Sequence, residues 1–140
     1  ELLAEQKAYL LPHKIGRKQY YVHASKMEPL MKRPAEEYHG IRLISPMDTL
    51  VRDKTWLSAM FDYSFSFEYF KKKGMKWPLS ILVGNQFVGY LDCKMDWKTQ
   101  QFIIKEKNIF NLSLCNYKDI DYAIEELATF HNAKEIVDKS

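Results

Sequence analysis

Trp77-Pro78-Leu79-Ser80-Ile81-Leu82-Val83-Gly84-Asn85-Gln86-Phe87-Val88-Gly89-Tyr90-Leu91 is the stretch on which the fold turns. A branched, apolar run stops at Gly84-Asn85 and then resumes. Gly and Asn both tolerate the positive φ that a two-residue hairpin loop requires. The spacing predicts strands over residues 77–83 and 86–95. Asp96-Trp97-Lys98 predicts a further turn and a strand over 99–107. Upstream, Tyr63, Phe65, Phe67 and Tyr69 alternate with Ser64, Ser66 and Glu68, the period of a half-buried strand. Four strands on short connections imply an antiparallel meander. Residues 41–44 add a short fifth. Residues 119–137 carry Ile120, Ala123, Ile124, Leu127 and Phe130 at helical spacing, which predicts a helix docked on the sheet. The expected class is α+β: an antiparallel four- to five-stranded curved sheet or small barrel with a packed C-terminal helix.

Before the sheet, residues 1–7 read as the end of a helix. Residues 9–11 and 18–22 read as two short strands around a basic turn, Pro12-His13-Lys14-Ile15-Gly16-Arg17. A helix end followed by a basic hairpin is the shape of a winged-helix wing. Ser25 is placed to cap a short helix through Met31, with Glu28 completing a capping box. The polar connector over 34–40 suggests two units: 1–34, a winged-helix remnant with its wing hairpin, and 35–140, a β-rich domain with the C-terminal helix. Within the second unit, Asp53 is placed to cap a helix over 53–61.

At 140 residues the chain has room for a core of ordinary size. A hydrophobic share of 46% and a charged share of 28% exclude a disordered tail. No apolar run approaches the roughly 20 residues of a membrane span, and the polar N-terminus does not read as a signal peptide. Cys93 and Cys115 have no Cys or His at ligand spacing, so both are expected as buried thiols in a cytoplasmic protein. Because the chain opens on Glu1, it is expected to be part of something longer. The net charge of +3 is modest, yet seventeen of the twenty-one cations are Lys. Lys suits phosphate as a point charge, whereas Arg is the bidentate reader of bases. Contacts to nucleic acid would then fall on the backbone and depend on salt.

Three groups are candidates for chemistry. Asp48, Arg52 and Asp53 place charge inside Leu43-Ile44-Ser45-Pro46-Met47-Asp48-Thr49-Leu50-Val51-Arg52-Asp53, an otherwise apolar run. Their expected role is a structural ion pair at the corner between a strand and a helix. Asp62, Asp92 and Asp96 are further carboxylates without a convergent spacing. His13, His23, His39 and His131 are scattered, which predicts no metal site. No phosphate loop, nucleophile elbow or dinucleotide fingerprint occurs, so no cofactor is expected. The densest basic run is Lys71-Lys72-Lys73-Gly74-Met75-Lys76-Trp77. It can grip phosphates beside an aromatic side chain, or simply keep a loop solvated.

Several ordered motifs resemble the winged-helix DNA glycosylases that repair interstrand crosslinks, the YcaQ-like family. Ile44-Ser45-Pro46-Met47-Asp48-Thr49-Leu50-Val51-Arg52-Asp53-Lys54 is similar to the family's "LSPFDPLIWDR". Met60-Phe61-Asp62-Tyr63 is similar to "LFGFDY", and Gly84-Asn85-Gln86-Phe87-Val88-Gly89-Tyr90-Leu91-Asp92-Cys93-Lys94-Met95-Asp96 to "GDRLVGRVDLKADR". Gly16-Arg17-Lys18-Gln19-Tyr20-Tyr21-Val22 looks like the family's wing strand. The resemblance implies tandem winged helices followed by a β-rich domain, cradling duplex DNA. It implies hydrolysis of the N-glycosidic bond of alkylated or crosslinked purines, with a Gln-x-Gln catalytic motif in the first winged helix. Nothing here matches that motif; Gln100-Gln101 is adjacent and in the wrong region. The family's basic hairpin is also longer than residues 69–79.

The expectation is therefore the DNA-binding C-terminal portion of such a glycosylase, without catalytic residues and without activity alone. Arg17, Lys18, Lys71, Lys72, Lys73 and Lys76 are the expected DNA contacts. The expected partners are duplex DNA through its backbone and upstream winged-helix domains, with no membrane. The alternative is a non-enzymatic interaction or scaffolding domain without DNA binding. A hydrolase built on Asp48 and Asp92 ranks behind both.

Overall fold

A computed structural model describes residues 8–15, 18–32, 40–64 and 76–140. β1 (Ala8–Ile15) and β2 (Lys18–His23) form the expected antiparallel hairpin, but Pro12 to Ile15, read as part of the turn, belong to β1, with a register shift between Leu10 and Lys14. α1 (Ala24–Lys32) follows at once. It starts one residue before Ser25, so Ser25 lies inside the helix rather than at its cap. The His23 ring takes the capping place, with Nδ1 accepting from the Ser25 backbone N–H at 3.3 Å. Glu28 then pairs with Lys32 one turn on instead of reaching back.

The main body follows as β3 (Ile41–Ile44), α2 (Thr49–Arg52), α3 (Lys54–Phe61), β4 (Pro78–Val83), β5 (Gln86–Asp96), β6 (Gln101–Ile109), α4 (Tyr117–Phe130) and β7 (Glu135–Asp138). The five strands form one open sheet in the order β3-β4-β5-β6-β7. Val83 pairs with Gln86 across the Gly84-Asn85 turn, and Gly84 takes φ 58°. That is the left-handed backbone glycine adopts at little cost. At the next turn the Asp96 carboxylate accepts from the backbone N–H groups of Lys98 and Thr99.

The α+β class stands, with two differences. The sheet is open and mixed rather than a wholly antiparallel meander, because β6 and β7 pair in parallel. The C-terminal helix also ends at Phe130 instead of running to residue 137. Asn116 and Asp119 form a capping box at its start. At its end His131 is the cap and Asn132 takes φ 55°, which reverses the chain. Ile136 and Val137 are β-branched and gain a ladder on β6, and parallel pairing needs a crossover that α4 supplies. The Lys134 N–H to Gln100 O and Lys139 N–H to Ile104 O bonds bracket the new strand. Of the alternating strand expected over 63–69, Tyr63 and Ser64 have no regular structure, and residues 65–69 lie outside the described residues. So do residues 1–7.

Both faces of the sheet are covered. Ile120, Ile124 and Ala128 of α4 pack on Ile81, Val83, Val88, Leu91, Phe102 and Ile104. Val51 of α2 and Leu57 of α3 pack with Tyr63, Leu82 and Phe87. Leu82 lies between Ile81 and Val83 in sequence, so the two clusters occupy opposite faces. Gly89 marks a close approach of two strands: a Cβ there would lie 2.2 Å from the Asn108 carbonyl oxygen. That atom is backbone and cannot rotate aside. Gly89→Ala is expected to cost about 1–3 kcal/mol, read from the urea midpoint; an unchanged midpoint would show that the strands move apart freely.

Candidate nucleic-acid interface

The basic run ends at Lys76, and its exit is tied to the sheet by two carboxylates. The Trp77 N–H donates to Asp92 Oδ1 at 3.3 Å. Lys105 Nζ meets Asp92 Oδ2 at 2.9 Å. Asp92 is only 3% exposed, so both contacts answer a carboxylate withdrawn from water. Alongside, Lys76 pairs with Glu106, and the Tyr90 hydroxyl donates to the same carboxylate. Lys76, followed by Tyr90, holds the Glu106 carboxyl below its ordinary range, and Glu106 raises the Lys76 ammonium.

Register explains why these groups meet. Asp92 pairs with Glu106 across β5 and β6, and a shift between Asp92 and Cys93 leaves Lys105 as the extra residue. Such an irregularity re-aims side chains. Here it brings Lys105 to Asp92. Lys107 bonds Asp121 of α4, with Asp138 of β7 at 3.8 Å. Next to the anchor, the Tyr63 hydroxyl donates to the Gly89 carbonyl at 3.2 Å and shares a hydrogen bond with Ser80 at 3.0 Å. Its ring stacks on Phe87, with centroids 4.6 Å apart. Burial pushes the Tyr63 hydroxyl pKa up. Tyr63 thereby ties the chain beyond α3 to β4 and β5.

Of the expected DNA contacts, Arg17, Lys71, Lys72 and Lys73 lie outside the described residues. Lys18 opens β2 opposite Ile15, at the turn of the hairpin. Lys76 is half exposed and bound to Glu106, so its charge is partly answered within the chain. Asp48 and Asp53 serve as helix caps. Asp48 accepts from the Leu50 N–H at 2.8 Å, and Asp53 from those of Thr55 and Trp56 at 3.1 Å. The cap at Asp53 was expected from sequence. A side-chain pairing of Asp48 with Arg52 is not among the ion pairs of the described residues, and Arg52 is exposed. Tyr90 and Glu106 were not singled out from sequence, because only the register joins Glu106 to Lys76, thirty residues away.

These contacts join β5 and β6 to the residues at which the basic run ends. Both cysteines are free, and burial pushes the Cys93 thiol up to about 11, which keeps it neutral. Among the described residues no three metal-ligating side chains come together, and no helix is long and apolar enough to cross a membrane. No curated protein and no solved structure matches the chain. A family model described as "DNA glycosylase AlkZ-like" matches residues 2–130, a span that takes in the β1–β2 hairpin, the anchored exit of the basic run, strands β3 to β6 and α4. The chain belongs to the AlkZ-like DNA glycosylase family.

Proposed function

We propose that this chain is the DNA-binding C-terminal portion of a winged-helix glycosylase-like protein that acts on alkylated or crosslinked purines. Residues 1–34 are its winged-helix remnant and 35–140 its β-rich domain. Catalysis belongs to winged-helix segments upstream, since the chain has no Gln-x-Gln. The observation that carries the reading is the family match together with a basic run whose exit is fastened to the sheet at Asp92 and Glu106. Fastening one end of a basic run lowers the ordering cost of gripping phosphates. Lys71, Lys72 and Lys73 make the contacts. Lys76 holds the hairpin base, and Arg17 and Lys18 add charge from the wing.

Replacing Lys71, Lys72 and Lys73 together with Glu is expected to weaken duplex binding at low salt by more than tenfold. The slope of log K against log salt should also flatten by about 2–3. Fluorescence anisotropy over a salt series reads both. Unchanged affinity and slope would remove the hairpin from the interface. A second reading, an interaction domain that does not bind DNA, draws on Lys76, Lys105 and Lys107, all of which are paired internally. It is upheld if the wild-type chain shows no affinity for duplex at low salt.

A further inference from the structure

The β5–β6 turn and the α4–β7 turn meet at one corner of the sheet. The Lys134 N–H donates to the Gln100 carbonyl at 2.8 Å, which ties the two turns together. Trp97 is 67% exposed and Phe130 78% exposed. Both side chains lie largely outside the core. Between them stands His131, edge-on to Trp97 at 6.0 Å and to Phe130 at 5.3 Å. The His131 ring is nearly parallel to Phe102, with an angle of 18° at 6.4 Å. His131 and Phe102 also line a cleft of about 390 Å³ whose other walls include Leu79, Met95 and Leu127. That is the size and apolar character of a small planar ligand's site.

Three lysines and two carboxylates sit at this corner. Lys94 lines the cleft, Lys98 follows Trp97 in the turn, and Lys134 opens the approach to β7. All three are exposed and form no ion pair among the described residues. The two neighbouring carboxylates stay charged but accept hydrogen bonds within the chain. Asp96 accepts from the turn N–H groups, and Glu135 accepts from the Gln101 amide. Exposed rings interleaved with unpaired lysines suit a ligand with flat apolar faces and a polyanionic backbone.

The geometry points to this corner as a seat for an unpaired nucleobase, which stacks on Trp97 and Phe130, the two rings that touch the cleft residue His131, while Lys98 and Lys134 hold the flanking phosphates. The inference rests on the family's link to DNA, and the cleft also touches the exit of the basic run through Trp77. The corner would recognise a base already out of the helix, whereas the basic hairpin grips intact backbone.

Three fluorescein-labelled oligonucleotides test this with the 140-residue chain: an intact duplex, the same duplex with a single-nucleotide bulge, and a single strand. The bulged duplex is expected to bind at least about fivefold tighter than the intact one. Trp97→Ala and Phe130→Ala should each abolish that preference and leave intact-duplex affinity unchanged. Both replace exposed side chains, so the fold is retained. Equal affinity for bulged and intact duplex, or a preference that survives Trp97→Ala, overturns the inference. Intact-duplex binding that depends on Lys71, Lys72 and Lys73 but shows no bulge preference removes the corner and leaves the hairpin reading standing. Single-strand binding that depends on Trp97, with none to intact duplex, does the reverse. No binding to any of the three overturns both.

Discussion

Phe102→Ala is expected to destabilise the chain by about 3–5 kcal/mol. Phe102 is 2% exposed and fully enclosed between β6 and the helix layer, where Ile120, Ile124 and Ala128 close over the sheet. Truncation to alanine removes a ring's transfer free energy and leaves a void that the sheet backbone, pinned by ladders on both sides of β6, cannot collapse into. The void would merge with the neighbouring cleft, since Phe102 lines both. Phe102→Leu keeps most of the apolar volume and should cost only about 1 kcal/mol. Urea denaturation followed by far-ultraviolet circular dichroism measures both. Equal, small costs for the two variants would mean that α4 rides loosely on the sheet and that the enclosure is not a packed one.

Asp92→Ala is expected to cost a comparable amount, about 3–5 kcal/mol, for a different reason. The change strips the acceptor from the Trp77 N–H and the counter-charge from Lys105, itself two-thirds withdrawn from water. Leaving a donor and a cation with less company costs more than the pair contributes when intact. Asp92→Asn keeps an acceptor for Trp77 and loses only the charge, so it should fall between wild type and alanine. A double change, Asp92→Asn with Lys105→Met, should recover part of the loss because no charge is then left half-buried. If Asp92→Ala and the double variant unfold at the same denaturant concentration, the charge at Lys105 is answered elsewhere. The binding assay adds a second readout. Freed from Asp92, the exit of the basic hairpin should grip duplex less tightly even when the fold persists.

The sheet was legible because its signals are local. Gly84-Asn85 announces a hairpin by itself, and Asp96 closes the next turn with its own carboxylate. Asp53 was readable as a cap for the same reason: its partners, Thr55 and Trp56, are the next residues along. What escaped depends on distant pairings. The pattern of α4 continues past Phe130 with apolar residues near helical spacing, so the break at Asn132 was masked, although Asn tolerates the left-handed backbone and Ile136-Val137 favours a strand. Lys76 read as a free cation because nothing within thirty residues shows that Glu106 lies beside it. The meeting depends on a one-residue irregularity in β5 and β6, which no spacing rule reveals. The aromatic corner was hidden for a similar reason. Trp97 and Phe130 become neighbours only when the unexpected strand β7 draws its own turn onto the turn after β5.

Strand β7 has a consequence beyond completing the sheet. Without it, the nine residues of β6 would present an open row of backbone donors and acceptors at the border of the domain, an invitation to foreign strands. With it, the border is a strand of four residues, flanked by Lys134 and Lys139 and bearing Glu135 and Asp138. Short, charged borders discourage strand-to-strand association. The same segment that turns the sheet from antiparallel to mixed thus acts as a guard against self-assembly, and it does so in a chain whose surface also displays bare aromatic rings.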